Sequence, residues 1–310
     1  MATSSTPAPS SASISIRKYI YIVGPFPLPP GIPIPYTSQL HISNPLQNTY
    51  PPSEPTSTLV LTSPKSTFVD IRILKPLSTT DADLPNTGGP RFRVDWAFAG
   101  KSRSYPVCGD WSEGVEDVDA EGKKVVRHAV FVHEVSTRHA VDAGAEDVLP
   151  DEGDMYVVGE GLDLEVGKMW NPGLGIWQVY EEMWEDVKVK NVEGVKVAVV
   201  LRLETPEARA RGIVVRVGQF CQGILRVGED WVVERWEFER RDVATGTQDG
   251  DETEEKVQGG AWKRMVRVGD LFLPCAVTFR SDILVQGGIS EYKGAQWVVD
   301  ELAEWDDDRE

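Results

Sequence analysis

Short runs with a hydrophobic period of two, separated by Gly or Asp turns about every ten residues, recur along most of this chain. One such run, "RFRVDWAFAG", places four apolar side chains on the same face of a strand: Phe92, Val94, Trp96 and Phe98. Only "TPEARARG" and "VYEEMWEDV" have a pattern that a short helix could satisfy. The repeated strands and turns predict an all-β sandwich or barrel.

The 310 residues are enough for two ordinary domains. Residues 1–15 are Ser, Thr, Ala and Pro with almost nothing to bury, which predicts a disordered tail. A Gly, Asp and Glu-rich interval at 141–153 predicts a linker between two β-rich halves. We therefore expect two antiparallel β-barrels in tandem, at residues 16–140 and 154–310.

The formal net charge of −17 and the pI near 4.7 argue against nucleic acid or an anionic membrane surface as the main partner, because phosphate would be repelled. Much of the acid lies in short clusters, including residues 243–258, which predict solvated loops. None of these clusters has the ligand spacing of an EF-hand loop. The charge therefore favours a basic partner.

The three cysteines have no CxxC pair, so the sequence predicts neither a disulfide framework nor a thiolate zinc site. This cysteine usage is typical of a reducing compartment. Because no segment has about 18 consecutive apolar residues, we also predict no membrane insertion. Together these features predict a soluble protein inside the cell.

Histidine is confined to the first half of the chain: His41, His128, His133 and His139. His128 and His133 are five residues apart and would point to opposite faces of a strand, so a shared metal is not expected. The sequence predicts no cofactor and no metal. A single axial haem ligand, His128 or His133, is left open.

The run "GIVVRVGQFCQGILRV" predicts one strand with two polar residues at the centre of an otherwise apolar face. Gln219 and Cys221, together with Trp96, are therefore candidates for the lining of a ligand cavity. In the alternative that we favour, Gly218 and Gly223 mark bulges or a close strand crossing, and Cys221 is a small buried hydrophobe. No catalytic residue is predicted.

The same run makes a prediction about which side chains are buried. Val215, Val217 and Leu225 should point into the core, whereas Arg216 and Arg226 should point out.

Alternating charges accompany two of the other predicted strands. Asp70 and Arg72 lie opposite the apolar face of "FVDIRI", and Arg93 and Asp95 lie opposite that of "FRVDWAF". The simpler interpretation is cross-strand ion pairing on the solvent side. If instead the charged faces of these strands point toward the barrel axis, the charges form a polar interior.

As a helix, "VYEEMWEDV" would dock a stripe of Tyr180, Met183 and Trp184 on a barrel. The acids beside this stripe, Glu181, Glu182, Glu185 and Asp186, would then face water. On this interpretation no pair of acids converges inside a barrel, and we expect no enzyme activity.

Five motifs occur in an order and spacing that resemble a known family: "TFVDIRI", "VDWAFAG", "YEEMW", "VVLRLE" and "GIVVRVGQFCQGILRVG". The chain resembles the fungal protein family named for interaction with a casein kinase I homologue, from about residue 56 to residue 240. This resemblance implies two calycin-like barrels of the lipocalin and nitrobindin type. It also implies a cytoplasmic protein, with the nucleus as an alternative location.

The resemblance implies no enzyme activity and carries over no functional residue. It does imply a partner, a protein kinase of the casein kinase I type. The predicted function is therefore a non-catalytic interaction module that binds such a kinase or another regulatory protein. Two alternatives stay open, namely a carrier of a small apolar ligand such as a lipid or haem, and a lipocalin-like isomerase or cyclase.

Overall fold

The computed structural model describes residues 12–39, 46, 51–78, 83–106, 126–143, 147–241 and 259–305. The ordered elements of these residues are 15 strands and five short 3₁₀ helices, so the expected all-β class is confirmed. The 3₁₀ helices are Thr37–Gln39, Arg91–Arg93, Pro206–Ala208, Cys275–Phe279 and Ser281–Ile283. No helix in this part of the chain is long and apolar enough to cross a bilayer.

The first eight strands form a closed antiparallel barrel in which neighbours in sequence pair and β1 pairs with β8. These strands are β1 (Ser13–Pro25), β2 (Thr56–Thr62), β3 (Thr67–Leu74), β4 (Val94–Pro106), β5 (Val126–Ser136), β6 (Asp151–Gly159), β7 (Leu162–Asn171) and β8 (Ile176–Asp186). Closure removes the free strand edges that an open sheet would leave.

The remaining strands form a seven-stranded sheet in the order β13-β12-β11-β10-β9-β15-β14, a half-barrel. These strands are β9 (Lys196–Thr205), β10 (Ala210–Val217), β11 (Phe220–Val227), β12 (Asp230–Arg241), β13 (Gly259–Val268), β14 (Ile289–Tyr292) and β15 (Ala295–Trp305). The chain thus has a two-barrel fold, with the first barrel closed.

The pairing corrects the expected domain boundary at 141–153. Strands β6 to β8, at residues 151–186, pair with β5 and β1 and close the first barrel. The change from one sheet to the other therefore falls between residues 186 and 196. The expected tail at 1–15 also ends earlier, because β1 begins at Ser13; residues 1–11 and 243–258 lie outside the described residues.

The half-barrel packs one face against the outer wall of the closed barrel. On the barrel side, β3 contributes Val69, Ile71 and Ile73, which are fully buried. On the half-barrel side, Ile213 and Val215 belong to the same apolar cluster. The apolar face of β3 therefore points away from the barrel axis, toward the second sheet.

The other face of the half-barrel is covered by the segment that joins β13 to β14. Leu273 and Cys275 of this segment are buried in one cluster with Val214, Cys221 and Leu225. Both faces of the second sheet are thus packed by the chain itself.

The Pro-rich segment before β2 lies on another part of the barrel's outer wall. Tyr36 is 1% exposed and stacks on Tyr21 with ring centroids 6.0 Å apart. The buried Glu181 carboxylate accepts hydrogen bonds from the backbone N–H of Tyr36 at 2.5 Å and of Thr37 at 2.7 Å. This carboxylate therefore attaches the irregular segment to β8.

Residues 176–186 form strand β8, so the helix that the pattern of "VYEEMWEDV" would allow does not form. The other run that could be helical, "TPEARARG", contains only the 3₁₀ turn Pro206–Ala208. In a strand, Tyr180, Glu182 and Trp184 share one face, which is the barrel interior. The acids at 181 and 182 are therefore buried on opposite faces of the wall and do not face water together.

The run expected to be one strand is a hairpin of β10 and β11, with Val217 opposite Phe220. Gly218 supplies the turn with a φ of +50°, a conformation that glycine adopts without strain. The burial predicted for Val215, Val217 and Leu225 is confirmed. The exposure predicted for the two arginines is wrong, as described next.

Arg216 and Arg226 are only 2% and 6% exposed, because both faces of the second sheet are covered. Arg216 donates to the Thr278 carbonyl at 2.6 Å, and Arg226 donates to the Ser136 carbonyl at 3.1 Å. The guanidinium groups therefore satisfy backbone carbonyls of neighbouring segments.

Candidate functional site: the cavity of the closed barrel

The closed barrel contains a cavity of about 460 Å³, lined by side chains from β1 to β8 and from the segment before β6. Strand alternation sends one half of each strand's side chains inward. On β3 the inward residues are Phe68, Asp70 and Arg72, and on β4 they include Trp96 and Phe98. Trp96, one of the three residues suggested as a cavity lining, lies on the wall of this cavity.

A network of ion pairs crosses one side of this cavity. Arg72 donates to Asp70 at 2.8 Å and is paired with Glu182 at 3.4 Å. Glu182 also pairs with Arg17, which in turn donates to Glu54 at 2.7 Å. Each of these carboxylates has a cation beside it, as buried charges require. The network links β1, β3 and β8 with Glu54, which precedes β2.

This geometry corrects the interpretation of the alternating charges. Asp70 is 3% exposed and Arg72 lines the cavity, so this pair belongs to the polar interior. Arg93 is also buried and donates to the Leu74 carbonyl at 3.0 Å. Only Asp95 keeps the solvent side, where it lies 3.6 Å from Arg138.

Aromatic rings form much of the remaining wall. The guanidinium of Arg138 lies 4.3 Å from the centre of the Trp96 ring, and that of Arg72 lies 5.7 Å from it. Phe98 packs on Trp96 with ring centroids 4.3 Å apart, and Phe68 contacts Phe131 at 5.3 Å. Cation–π and ring contacts thus hold these side chains in fixed positions.

Glu165 lies directly across from Glu182 in the pairing of β7 with β8. Its carboxylate accepts hydrogen bonds from the Tyr180 hydroxyl at 2.8 Å and from the Trp184 indole at 3.0 Å. Burial, and then the nearby Glu182, raise the pKa of Glu165 from 4.5 to about 7. This carboxyl group therefore changes its charge near neutral pH.

One end of the cavity carries exposed aromatic side chains. Trp170 and Trp177 line the cavity, have ring centroids 5.8 Å apart and are 50% and 42% exposed. They lie opposite each other on β7 and β8. This Trp pair marks a solvent-accessible end of the cavity.

Neither histidine of β5 is placed to ligate a haem in this cavity. His133 packs against Trp96 and Phe98 and is not among the side chains that line the cavity. His128 lies in a separate depression of about 260 Å³ and contacts Asp154 at 2.8 Å. Among the described residues, no group of three or more His, Cys, Asp or Glu could hold a metal ion.

Comparison with known proteins identifies the family. The model of the family described as Protein HRI1 matches residues 42–301. The chain belongs to the HRI1 family. No curated protein matches the chain. The HRI1 match extends beyond both ends of the resemblance seen in the sequence motifs, and it includes strands of both the barrel and the half-barrel.

A solved structure shares the fold of this HRI1 family member. It is the uncharacterized protein YLR301w from Saccharomyces cerevisiae, with a TM-score of 0.55 and 15% sequence identity. The similarity covers 94% of this chain and 99% of that one. The arrangement of a barrel and a half-barrel is therefore not peculiar to this sequence.

The other two candidate cavity residues lie in the half-barrel, away from the cavity. The Gln219 side chain accepts a hydrogen bond from the backbone of Lys190 at 2.8 Å and donates to the Lys188 carbonyl at 3.0 Å. Cys221 is fully buried, 3.5 Å from the Thr278 hydroxyl. Both side chains therefore have the structural role of the favoured alternative and do not line a ligand cavity. The strand has no bulge at Gly223.

Most residues of the cavity network were not singled out from the sequence. Arg17, Glu165 and Arg138 were not selected, and Glu182 was expected to face water. One available signal was "SISIRKYIYI", in which Arg17 continues the polar alternation of Ser13 and Ser15, opposite Ile14 and Ile16. Ser13 and Ser15 line the cavity, so this polar phase of β1 is the one that faces the barrel interior.

A Gln219→Leu variant is expected to lose about 1 to 3 kcal/mol of unfolding free energy, because two backbone groups lose their partner. Urea denaturation measures this loss. The matched control is Gln296→Leu at an exposed position of β15, where a change within about 0.5 kcal/mol is expected. Unchanged stability of Gln219→Leu, together with loss of a co-purifying ligand, would contradict the structural role.

Proposed function

We propose that this protein binds a small molecule in the cavity of the closed barrel and releases it chemically unchanged. The observation that carries this proposal is the cavity itself, about 460 Å³ of space with aromatic walls and fixed charges. Ligand pockets commonly have volumes of about 300 to 1,000 Å³ and combine apolar walls with a few placed polar groups. The cavity meets both descriptions.

The polar groups are held in place without a ligand. Arg72 is fixed by Asp70 and Glu182, and Glu165 is fixed by Tyr180 and Trp184. A site whose side chains are already ordered loses less conformational entropy when it binds. This order supports a binding role.

The interior favours a ligand with both apolar and polar parts. The Oδ1 atom of Asp70 is buried and has no hydrogen-bond partner among the described residues. A wholly apolar ligand would leave this atom unsatisfied, at a cost of about 1 to 3 kcal/mol. We therefore narrow the expected apolar ligand to one that also carries hydrogen-bond donors.

The isomerase or cyclase alternative has one observation in its favour. Glu165 and Glu182 are cross-strand neighbours inside the barrel, a convergent pair of acids that the sequence did not predict. Two arginines pair with Glu182, and two hydrogen-bond donors hold Glu165. Because both groups are engaged in structure, we propose binding without catalysis.

The casein kinase I-type partner stays a prediction from the family resemblance. The exposed apolar residues at the turn between β7 and β8, Trp170, Leu174 and Trp177, form a patch of the kind found at interaction sites. Trp170 and Trp177 also line the cavity, so we assign this patch first to ligand binding.

Blocking the cavity tests the proposal. Thr62 lines the cavity, and Thr62→Trp should fill part of it. Isothermal titration would use three naphthalene probes of similar size: 2-(1-naphthyl)ethylamine, 2-(1-naphthyl)ethanol and 1-naphthylacetate. We expect at least one probe to bind the wild-type protein and to bind Thr62→Trp at least tenfold more weakly, and mass spectrometry should recover it unchanged.

The matched control is Thr205→Trp, which makes the same replacement at an exposed position in the half-barrel. It should bind the probes as the wild type does. The proposal fails if no probe binds the wild-type protein, or if Thr62→Trp and Thr205→Trp bind equally well.

A further inference from the structure

The charged side chains that line the cavity are unequal in number. Six are acidic and three are basic. The acidic set is Asp70, Asp151, Asp163, Glu165, Glu182 and Asp186, and the basic set is Arg72, Arg138 and Lys168. The lining therefore has an excess of carboxylates.

The basic side chains already have partners. Arg72 pairs with Asp70 and Glu182, while Arg138 lies over Trp96 and 3.6 Å from Asp95, outside the lining. The ammonium of Lys168 lies 4.9 Å from the centre of the Phe26 ring. Neither Arg72 nor Arg138 forms an ion pair with the Glu165 or Asp163 carboxylate in the described part of the chain.

The excess negative charge acts on the carboxyl groups themselves. Burial and the neighbouring Asp186 raise the pKa of Asp163, and burial and Glu182 raise that of Glu165 to about 7. Both shifts have the direction that a shortage of positive charge produces. A cation in the cavity would relieve this repulsion.

Two further features point to the same class of ligand. The unpartnered Oδ1 of Asp70, on a side chain only 3% exposed, can accept a hydrogen bond from an N–H group. Phe68, Phe131 and Trp184 place aromatic rings around the cavity. Aromatic faces attract organic cations, most strongly where water is excluded.

We propose that the ligand of the barrel cavity is a small organic cation, an amine with an apolar body, whose ammonium group is held by Glu165 and Asp70. This proposal rests on the proposed binding function and specifies its ligand class. The acceptors are carboxylate oxygens and the apolar body lies against the aromatic walls. A protonated amine supplies both the positive charge and the N–H donors that the lining lacks.

The three naphthalene probes test the charge preference because they share one ring system. At pH 8, the amine is expected to bind wild-type protein at least tenfold more tightly than the neutral alcohol, and the carboxylate should bind most weakly. If the alcohol binds wild-type protein as tightly as the amine, and Thr62→Trp weakens both, the proposed ligand class is wrong but the proposed binding function stands. If no probe binds the wild-type cavity, the ligand class and the binding function are both wrong.

Glu165→Gln separates charge from shape. Gln can keep the contacts to Tyr180 and Trp184 but carries no charge, so the amine should lose about tenfold in affinity, equal to about 1.4 kcal/mol, while the alcohol is unchanged. Unchanged binding of the alcohol also shows that the variant is folded. The control is Glu239→Gln, at an exposed acid paired with Lys263 in the half-barrel, which should change neither affinity. An amine preference that survives Glu165→Gln would overturn the assignment of Glu165.

Discussion

An Arg72→Met variant is expected to lose about 3 to 5 kcal/mol of unfolding free energy, because it leaves buried carboxylates without their cation. Asp70 would lose its ion-pair partner, and Glu182 would keep only Arg17. A loss of this size is a large fraction of the roughly 5 to 15 kcal/mol that stabilises a typical domain. Urea denaturation, followed by circular dichroism, measures it.

The chain offers a closely matched control for this experiment. Arg280 contacts Asp282 through two hydrogen bonds of 2.9 Å, and the two residues are again two positions apart. Their side chains are 65% and 63% exposed, so Arg280→Met should leave the unfolding free energy nearly unchanged. Adding Asp70→Asn to Arg72→Met should recover part of the loss. Equal losses for Arg72→Met and Arg280→Met would contradict the role of burial.

Glu165→Gln is expected to stabilise the protein at pH 8 by up to about 3 kcal/mol and to have little effect at pH 5. The pKa of Glu165 is raised from 4.5 to about 7, so the folded state binds a proton that the unfolded state has released between these values. Wild-type stability should therefore fall as pH rises from about 4.5 through about 7. Gln resembles the protonated carboxyl group and removes this dependence.

The groups that set this titration come from three other strands. Glu182 on β8 and Asp151 on β6 raise the pKa of Glu165, while Arg72 on β3 and the hydrogen bond from Tyr180 lower it. Unfolding midpoints in urea at pH 5, 6, 7 and 8 would show the wild-type and variant curves diverging. The plot of unfolding midpoint against pH for Glu239→Gln should be parallel to that of the wild type. If the plot for Glu165→Gln were also parallel to that of the wild type, the raised pKa of Glu165 would be contradicted.

The sequence predicted which side chains of β3 share a face. It did not predict which face points into the barrel and which points toward the second sheet. The period of two correctly separated Val69 and Ile71 from Asp70 and Arg72. A soluble barrel usually has its apolar face inside, but here a second sheet covers the outer wall and buries the apolar face there. Periodicity is a property of one strand, whereas this direction depends on a neighbour more than 100 residues away.

Two other differences have local causes. The run at β8 is short and has apolar residues at spacings that fit a helix or a strand, so periodicity alone could not decide between them. The turn at Gly218 and Gln219 lacks a second turn-forming residue, so the hairpin resembled one continuous strand. Trp96 lies on the cavity wall, whereas Gln219 and Cys221 lie in the half-barrel, because the sequence of a strand does not show which sheet it joins.

The contact between the half-barrel and the outer wall has a consequence for synthesis on the ribosome. The barrel closes once β8 emerges, but the apolar side chains of β3 stay uncovered until the half-barrel strands up to β13 have followed, roughly 80 residues later. At about 5 to 20 residues per second, this interval is on the order of 4 to 16 s. During that time the nascent chain has a folded barrel with an exposed apolar patch on its outer wall. Chaperones should therefore bind most strongly to nascent chains arrested between residues 186 and 268.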